Sequence, residues 1–267
     1  MTDAHDVVHA PVRNGDEVAQ AYVDIRNMIL DGRLDPGLRV AQSELSRLTG
    51  VGRTPLREAL RMVQQEGLVT AERNKGITIA PFDLEELDCI YGYRVSMEST
   101  AARVSVPALT ADDLDALDQS MRDMRAASEL GDRDAYELPH RAFHLRIVSR
   151  VQERAKARMA LDSDRSERYR RLLMRGDRFA LINADAEHHE IVEACRRRDG
   201  ATASRLLANH LARSAFHVVV QLDPTYDPIL TRTSLRTVLG TEDADAAGQH
   251  VLPASRPEAS PQKETPG

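Results

Sequence analysis

Four histidines are spaced as metal ligands would be. His140 and His144 stand four residues apart in a run whose apolar stripe continues through Ile147 and Val148, so both rings leave one helix face. His188 leads the stripe Ile191, Val192, Cys195, and His210 lies among Leu206, Leu207 and Ser214. An i, i+4 pair plus one histidine from each of two other helices can close on one divalent ion inside a bundle. An inward histidine is also ordinarily a core residue satisfied by one hydrogen bond, and His189 and His217 show that the residue type is frequent here. A second set is Arg94 and Glu98, i and i+4 in the inward stripe Leu87, Ile90, Tyr91, Arg94, Met97, Ala101. A guanidinium in such a stripe needs a buried anion. Tyr169, Arg170 and Arg171 read as a solvated basic cluster.

A third set faces a different chemistry. In "LTGVGRTPLREALRMVQQEGLV", residues 48–69, Leu56, Ala59, Leu60 and Val63 form one helical face, and Arg53, Arg57, Arg61 and Gln64 form the other. Such an arginine face can enter a major groove, where arginine pairs bidentately with guanine. Thr54 reads as the helix N-cap with Pro55 at the first helical position, and its hydroxyl can hold a backbone phosphate. From Val51 to Ala80 the cations Arg53, Arg57, Arg61, Arg73 and Lys75 stand against Glu58, Glu66 and Glu72, a locally basic window in a chain of formal charge −6.

The elements that must position these residues are legible from periodicity. A helix over about 17–30, a short helix over "QSELSRLTG", the arginine-bearing helix and two alternating runs flanking Asn74-Lys75-Gly76 give the winged helix-turn-helix order. Arg73 and Lys75 would sit on the wing. Beyond Pro81 the strand signal ends, and helices are expected near 84–105, 110–130, 133–150, 153–175, 184–198 and 201–222. The fold class is therefore mainly α, a winged helix-turn-helix followed by an all-α bundle. The expected boundaries are a flexible 1–15, a DNA-binding domain over 16–81, a helical effector-binding domain over 82–222, and a largely disordered tail over 223–267 with a short helix around Thr233–Leu239. Nothing approaches the roughly 20 apolar residues of a membrane span. The start lacks a signal-peptide core, and Cys89 and Cys195 have no CxxC spacing, so a cytoplasmic location is expected.

The stretch from Ile25 to Phe82 resembles the N-terminal domain of GntR-family bacterial regulators. It carries the family's Gly-x-Leu-x-Pro-Gly linker (Gly32 to Gly37), its Arg-Thr-Pro-x-Arg-Glu-Ala-Leu helix start (Arg53 to Leu60) and its Arg-x-x-Gly wing (Arg73 to Gly76). The resemblance implies DNA contacts by Arg53, Thr54, Arg57 and Gly76. The position before Arg53, often Ser or Thr in the family, is Gly52 here, which removes a hydroxyl–phosphate contact. Residues 84–222 resemble the FCD effector domain of the FadR subgroup through "YRVSMES", "HRAFHLRIV", "AEHHEIVEACRRRD" and "ANHLARS".

In many members of that subgroup an Asp, a His four residues later and two further His bind a divalent metal. His144, His188 and His210 match the three histidines, and His140 stands at the Asp position. Pro139 before it would kink the helix or shift its start, and Glu137 is the rival fourth ligand. Such imidazole-rich ligation favours zinc, nickel or copper over magnesium or calcium. The family arginine matching Arg94 lines the effector cavity, which implies a carboxylate ligand. The resulting expectation is a homodimeric DNA-binding regulator, a repressor of operator DNA, that binds a small organic acid at a zinc (or nickel) centre and has no membrane partner. The alternative is a metal-dependent hydrolase fused to a DNA-binding head, with Glu137 or His189 as its general base.

Overall fold

The computed structural model describes residues 14–72, 76–174 and 178–240. The expected wing residues Arg73 and Lys75, most of the expected flexible N-terminus and the tail beyond residue 240 lie outside them. The head comprises α1 (Asn14–Leu30), β1 (Arg39–Val40), α2 (Gln42–Thr49), α3 (Arg53–Gln65), β2 (Val69–Glu72) and β3 (Gly76–Ile79). The three strands form one antiparallel sheet in the order β1-β3-β2. The two-residue β1 was not foreseen, since a pair of residues shows no alternation. Gly76 shows why it matters. Its φ is +85°, and a Cβ there would stand 2.9 Å from the Val40 carbonyl, so only glycine lets β3 start beside β1. Ile25, Leu45, Leu56, Leu60, Val63, Val69, Ile77 and Ile79 bury their side chains between the helices and the sheet.

The helical domain comprises α4 (Leu84–Ser105), α5 (Ala111–Leu130), α6 (Arg133–Ile147), α7 (Glu153–Met174), α8 (Arg178–Arg196), α9 (Gly200–Leu222) and α10 (Ile229–Leu239), with a short 3-10 turn at Val106–Ala108. Side-chain caps set several starts: Asp83 for α4, Thr110 with Asp113 in a capping box for α5, Asp132 for α6 and Asp199 for α9. Because Asp132 starts α6 six residues earlier, Pro139 lies inside a continuing helix and does not delay its start. α9 is buried along Ala203, Leu207, Leu211, Ala215 and Val218, and it packs against α4. No helix among the described residues is long and apolar enough to cross a membrane.

Within the region expected to be a largely disordered tail, residues 223–240 are ordered, and α10 packs on α4. Asp88 of α4 caps it, accepting from the Leu230 and Thr231 amides at 2.9 and 2.7 Å. At Gly92 a Cβ would lie 2.5 Å from Leu230 Cγ, so the small residue admits α10. Neither signal is periodic, which is why the sequence pattern placed only the later part of this helix, around Thr233–Leu239, and not its start at Ile229. Head and bundle meet at α1 and α7. Arg26 reaches both Glu66 (3.0 Å) and Glu167, Arg171 reaches Asp31 (2.8 Å), and Arg168 donates to the Pro81 carbonyl.

Candidate nucleic-acid interface and metal centre

α3 starts at Arg53 because Gly52 adopts the extended cap conformation, with φ −69° and ψ 169°. Thr54 is thus one residue inside the helix and makes no capping bond, which corrects its expected role. The first turn has no acidic residue and no side-chain cap, so the amides at this end stay open to an acceptor. Pro55, Leu56, Ala59, Leu60 and Val63 are buried, while Arg53, Thr54, Arg57, Arg61 and Gln64 are exposed. Arg61 pairs with Glu58 at 2.8 Å; Arg53 and Arg57 have no ion-pair partner among the described residues. The helix presents a polar, cationic side on which two of the three arginines, Arg53 and Arg57, are left without an ion-pair partner among the described residues.

The four histidines of the bundle meet. His140 and His144 from α6, His188 from α8 and His210 from α9 are all buried, and one ring nitrogen of each lies within 4.8 Å of the other three. His140 Nε2 and His144 Nε2 are 3.2 Å apart, as are His188 Nε2 and His210 Nε2. Nitrogens ligating one ion at about 2.0–2.1 Å would stand roughly 3–4 Å from each other; the two 3.2 Å pairs match that spacing, and the four donors together form a group that could hold one metal ion. The Tyr136 ring stacks on His140 with centroids 5.5 Å apart, and Phe143 packs on His188 at 4.7 Å.

Burial, reinforced by neighbouring positive charge, holds His140, His144 and His188 well below their ordinary pKa, in the neutral form that ligates metals. His210 Nδ1 meets Glu187 Oε2 at 2.8 Å, and Arg213 holds the other Glu187 oxygen. A carboxylate behind an imidazole fixes its tautomer and aims its second nitrogen. Glu187 was missed from sequence, although its place beside His188 and four residues ahead of Ile191 was visible. His140 Nδ1 and His144 Nδ1 have no hydrogen-bond partner, although Glu98 Oε2 lies 4.0 Å from His144 Nδ1.

Beside the histidines lies an arginine cradle. Arg94, 1 % exposed, donates from Nε to Glu98 Oε1 at 2.6 Å and from Nη1 to Ser166 Oγ at 2.8 Å. Glu98 therefore supplies the buried anion that Arg94 required. Arg170 also donates to Ser166 Oγ, and its Nη2 reaches Glu137 Oε2 at 2.9 Å. Burial alone would lower the Arg170 pKa, yet Glu137 and other neighbours raise it above the ordinary value and keep it charged. Tyr169, Arg170 and Arg171, expected on a solvated face, are buried together with Arg168, because α7 lies between the bundle core and the head. Tyr91 Oη, Ser99 Oγ, Ser163 Oγ and Glu137 Oε1 are buried without hydrogen-bond partners.

Glu137, the rival ligand, turns one oxygen to Arg170, and His189 is exposed outside the cluster. A cavity of about 150 Å³ reaches His188 between α5, α6 and α8, lined by Met124 and Tyr136 among others, with Arg125 and Asp185 of its lining paired at 2.9 Å.

Comparison with known proteins matches both halves. The family model for bacterial regulatory proteins of the gntR family matches residues 17–79, and that for the FCD domain matches residues 89–213. An uncharacterized HTH-type transcriptional regulator from the TAR-I ttuE-ttuC' intergenic region of Agrobacterium vitis is 30% identical over 142 residues, covering 52% of this chain and 82% of that protein. The HTH-type transcriptional repressor GlaR of Escherichia coli K12 is 29% identical over 199 residues, 71% of this chain and 90% of its own. Among solved structures, E. coli McbR/YncC superposes with a TM-score of 0.66 at 22% identity, covering 78% of this chain and 99% of that one, a likeness of fold.

Proposed function

The chain belongs to the GntR family of bacterial regulatory proteins, with an FCD domain behind its DNA-binding head, and on that premise we propose that a carboxylate-bearing metabolite, held at a divalent metal in the bundle, governs its grip on operator DNA. It is a DNA-binding transcriptional regulator. The relatives are regulators rather than enzymes, and the hydrolase alternative finds no support in them.

In the proposed site His140, His144, His188 and His210 hold the metal, and Arg94 faces the effector. Four imidazole donors suit zinc or nickel better than magnesium or calcium. The metal would supply a Lewis-acidic anchor for a carboxylate. Charge carries the effector reading. Four neutral imidazoles leave a dication uncompensated, and the nearby Arg94 and Arg170 are only balanced by Glu98 and Glu137. A buried net positive charge is costly unless an anion enters. An acid small enough to lie among Tyr91, Ser99 and Ser163 would also meet their unpartnered hydroxyls.

α7 offers the route to the head. Ser166 and Arg170 face the site, while Glu167 and Arg171, each the next residue in the chain, bind Arg26 and Asp31 of the head. A ligand that displaces Arg170 would move the helix that grips α1, biasing the placement of the reading heads. The proposed outcome is repression relieved by the acid, exerted by a homodimer, because one recognition helix reads only a few base pairs.

The test is elemental analysis of protein purified without a histidine tag, followed by thermal-shift screening of the metal-loaded form against organic, sugar and amino acids. One zinc or nickel per chain and a stabilising acid support the reading. A ligand at 100 times its Kd should add about 2.7 kcal/mol. Metal-free protein that refuses zinc and nickel would remove the metal, and no stabilisation by any acid would remove the effector.

A further inference from the structure

None of the four histidines is more than 4% exposed, and a buried metal site needs a path by which its ion arrives. A dication does not cross apolar packing uncompensated. The cavity of about 150 Å³ between α5, α6 and α8 runs from solvent to the histidines. Met124, Tyr136 and His188 of its lining are buried, Ser128 and Asp185 are half-buried, and Arg125 and Glu129 are exposed. Its deep end touches two of the four ligands, since His188 lines it and Tyr136 stacks on His140. It has room for an ion with several of its waters.

The outer end carries the relevant chemistry. Asp185 precedes His188 by three residues on α8, so their Cβ atoms stand about 5–6 Å apart on one face. A carboxylate is thus placed one turn outside an inward imidazole. Glu129 adds a second carboxylate, with no ion-pair partner among the described residues. Carboxylate oxygens ligate dications and can replace the waters an entering ion sheds, whereas an organic acid would meet like charge from both. Arg125 has Glu129 four residues away on its own helix, yet it reaches from α5 to Asp185 of α8 at 2.9 Å. The pair therefore ties two walls of the cavity together near its mouth. Its side chains are 62% and 42% exposed, and exposed pairs are weak, so it parts readily.

We propose that this cavity is the passage by which the divalent metal reaches and leaves its histidines. Asp185 and Glu129 receive the ion, and the Arg125–Asp185 pair is the gate. The passage rests on the metal centre of the functional reading above. With the pair closed, Arg125 occupies Asp185 and sets a positive charge in the path. With it open, Asp185 faces the ion one turn from His188, and His210 Nε2 lies 3.2 Å from His188 Nε2 to take the next place in the shell. A gate sets the barrier and leaves the depth of the site alone, so altering it changes loading and release by the same factor.

The test uses cobalt(II), whose visible absorption in an imidazole shell reports binding, on the full chain stripped of metal by chelator. Rapid mixing gives the loading rate, and transfer to excess EDTA gives the release rate. Arg125→Ala should speed both about tenfold and leave the equilibrium affinity in place. In that open background, Asp185→Asn should slow loading about tenfold and flatten its dependence on salt. Ser128→Trp, which fills the cavity, should slow loading and release together, with helical circular dichroism as the control for folding. The Arg125 and Asp185 side chains reach solvent, so their replacement does not threaten the fold. Arg125→Ala rates equal to the wild type overturn the proposal. So does an affinity that falls while the loading rate holds, which would make the pair a support of the centre. Elemental analysis at equilibrium reports the functional reading separately. A wild type that takes up no metal removes the centre and the passage with it, whereas a metal-replete protein indifferent to these changes removes the passage alone.

Discussion

The two arginine-rich regions of this protein handle the same side chain in opposite ways. On α3, Arg53 and Arg57 are exposed and without ion-pair partners among the described residues. On α4 and α7, Arg94, Arg168, Arg170 and Arg171 are buried, and each is held by carboxylates, hydroxyls or carbonyls. A surface that reads a polyanion leaves its charges solvated, because the partner supplies the counter-charge and desolvation is deferred until binding. A site within a bundle has no such freedom. Its charges must be compensated at folding, and a ligand then competes with or completes that arrangement. Substitutions should therefore separate binding from stability in the head and couple them in the bundle.

The sharpest test of this contrast is His144→Ala. It removes a central donor, so the metal should fall from one per chain to near zero, and the acid-induced thermal shift should vanish with it. Nonspecific DNA binding should persist. His140→Asp should instead keep a metal while shifting preference toward harder ions such as manganese. Elemental analysis of tag-free variants decides both, and a metal-replete His144→Ala would dissolve the proposed centre.

Acid should expose the bundle's coupling next. In the unfolded chain the imidazoles take up protons near their ordinary value of 6.5, whereas burial holds His140, His144 and His188 far lower in the folded chain. Below about 6.5 the unfolded state binds more protons. The stability is thus full above that pH and falls as pH drops, by up to about 1.4 kcal/mol per imidazole per pH unit. Melting of chelator-stripped protein from pH 7.5 to 5.5 should show this decline. A flat profile would mean that the three rings already carry protons in the fold.

Smaller effects belong to the head. Arg57→Ala should cost about 1–3 kcal/mol of discrimination between operator and random DNA and leave the melting temperature in place. Mobility-shift titrations at fixed salt measure it, and unchanged discrimination would take Arg57 off the reading face. Smallest of all, Thr54→Ala should change stability by less than about 0.5 kcal/mol, since Gly52 and not Thr54 caps α3. It should weaken specific and random DNA to a similar degree. A stability loss near the 1 kcal/mol typical of a lost cap would restore the capping role.

Much of the architecture was readable before any coordinates. The expected helices over 84–105, 110–130 and 201–222 compare with Leu84–Ser105, Ala111–Leu130 and Gly200–Leu222. Such features are local: they follow from period, caps and glycine stops within a few residues of chain. The same is true of the arginine face of α3, where alternation between buried Leu56, Leu60, Val63 and exposed Arg53, Arg57, Arg61 is a property of one helix.

What the sequence by itself determined, then, was the order of elements, the head's reading face and the inward direction of four histidines. Tertiary structure alone decided the rest. That His140 joins the other three while Glu137 turns to Arg170 depends on how α6 and α7 pack, which no spacing along α6 records. Glu187 stands behind His210 because α8 and α9 lie side by side. Arg168 to Arg171 are buried because α7 lies between two cores, and α10 is ordered because Gly92 and Asp88 of a distant helix receive it. Periodicity reports which side of a helix is apolar; what that side meets is set by contacts between residues far apart in the chain.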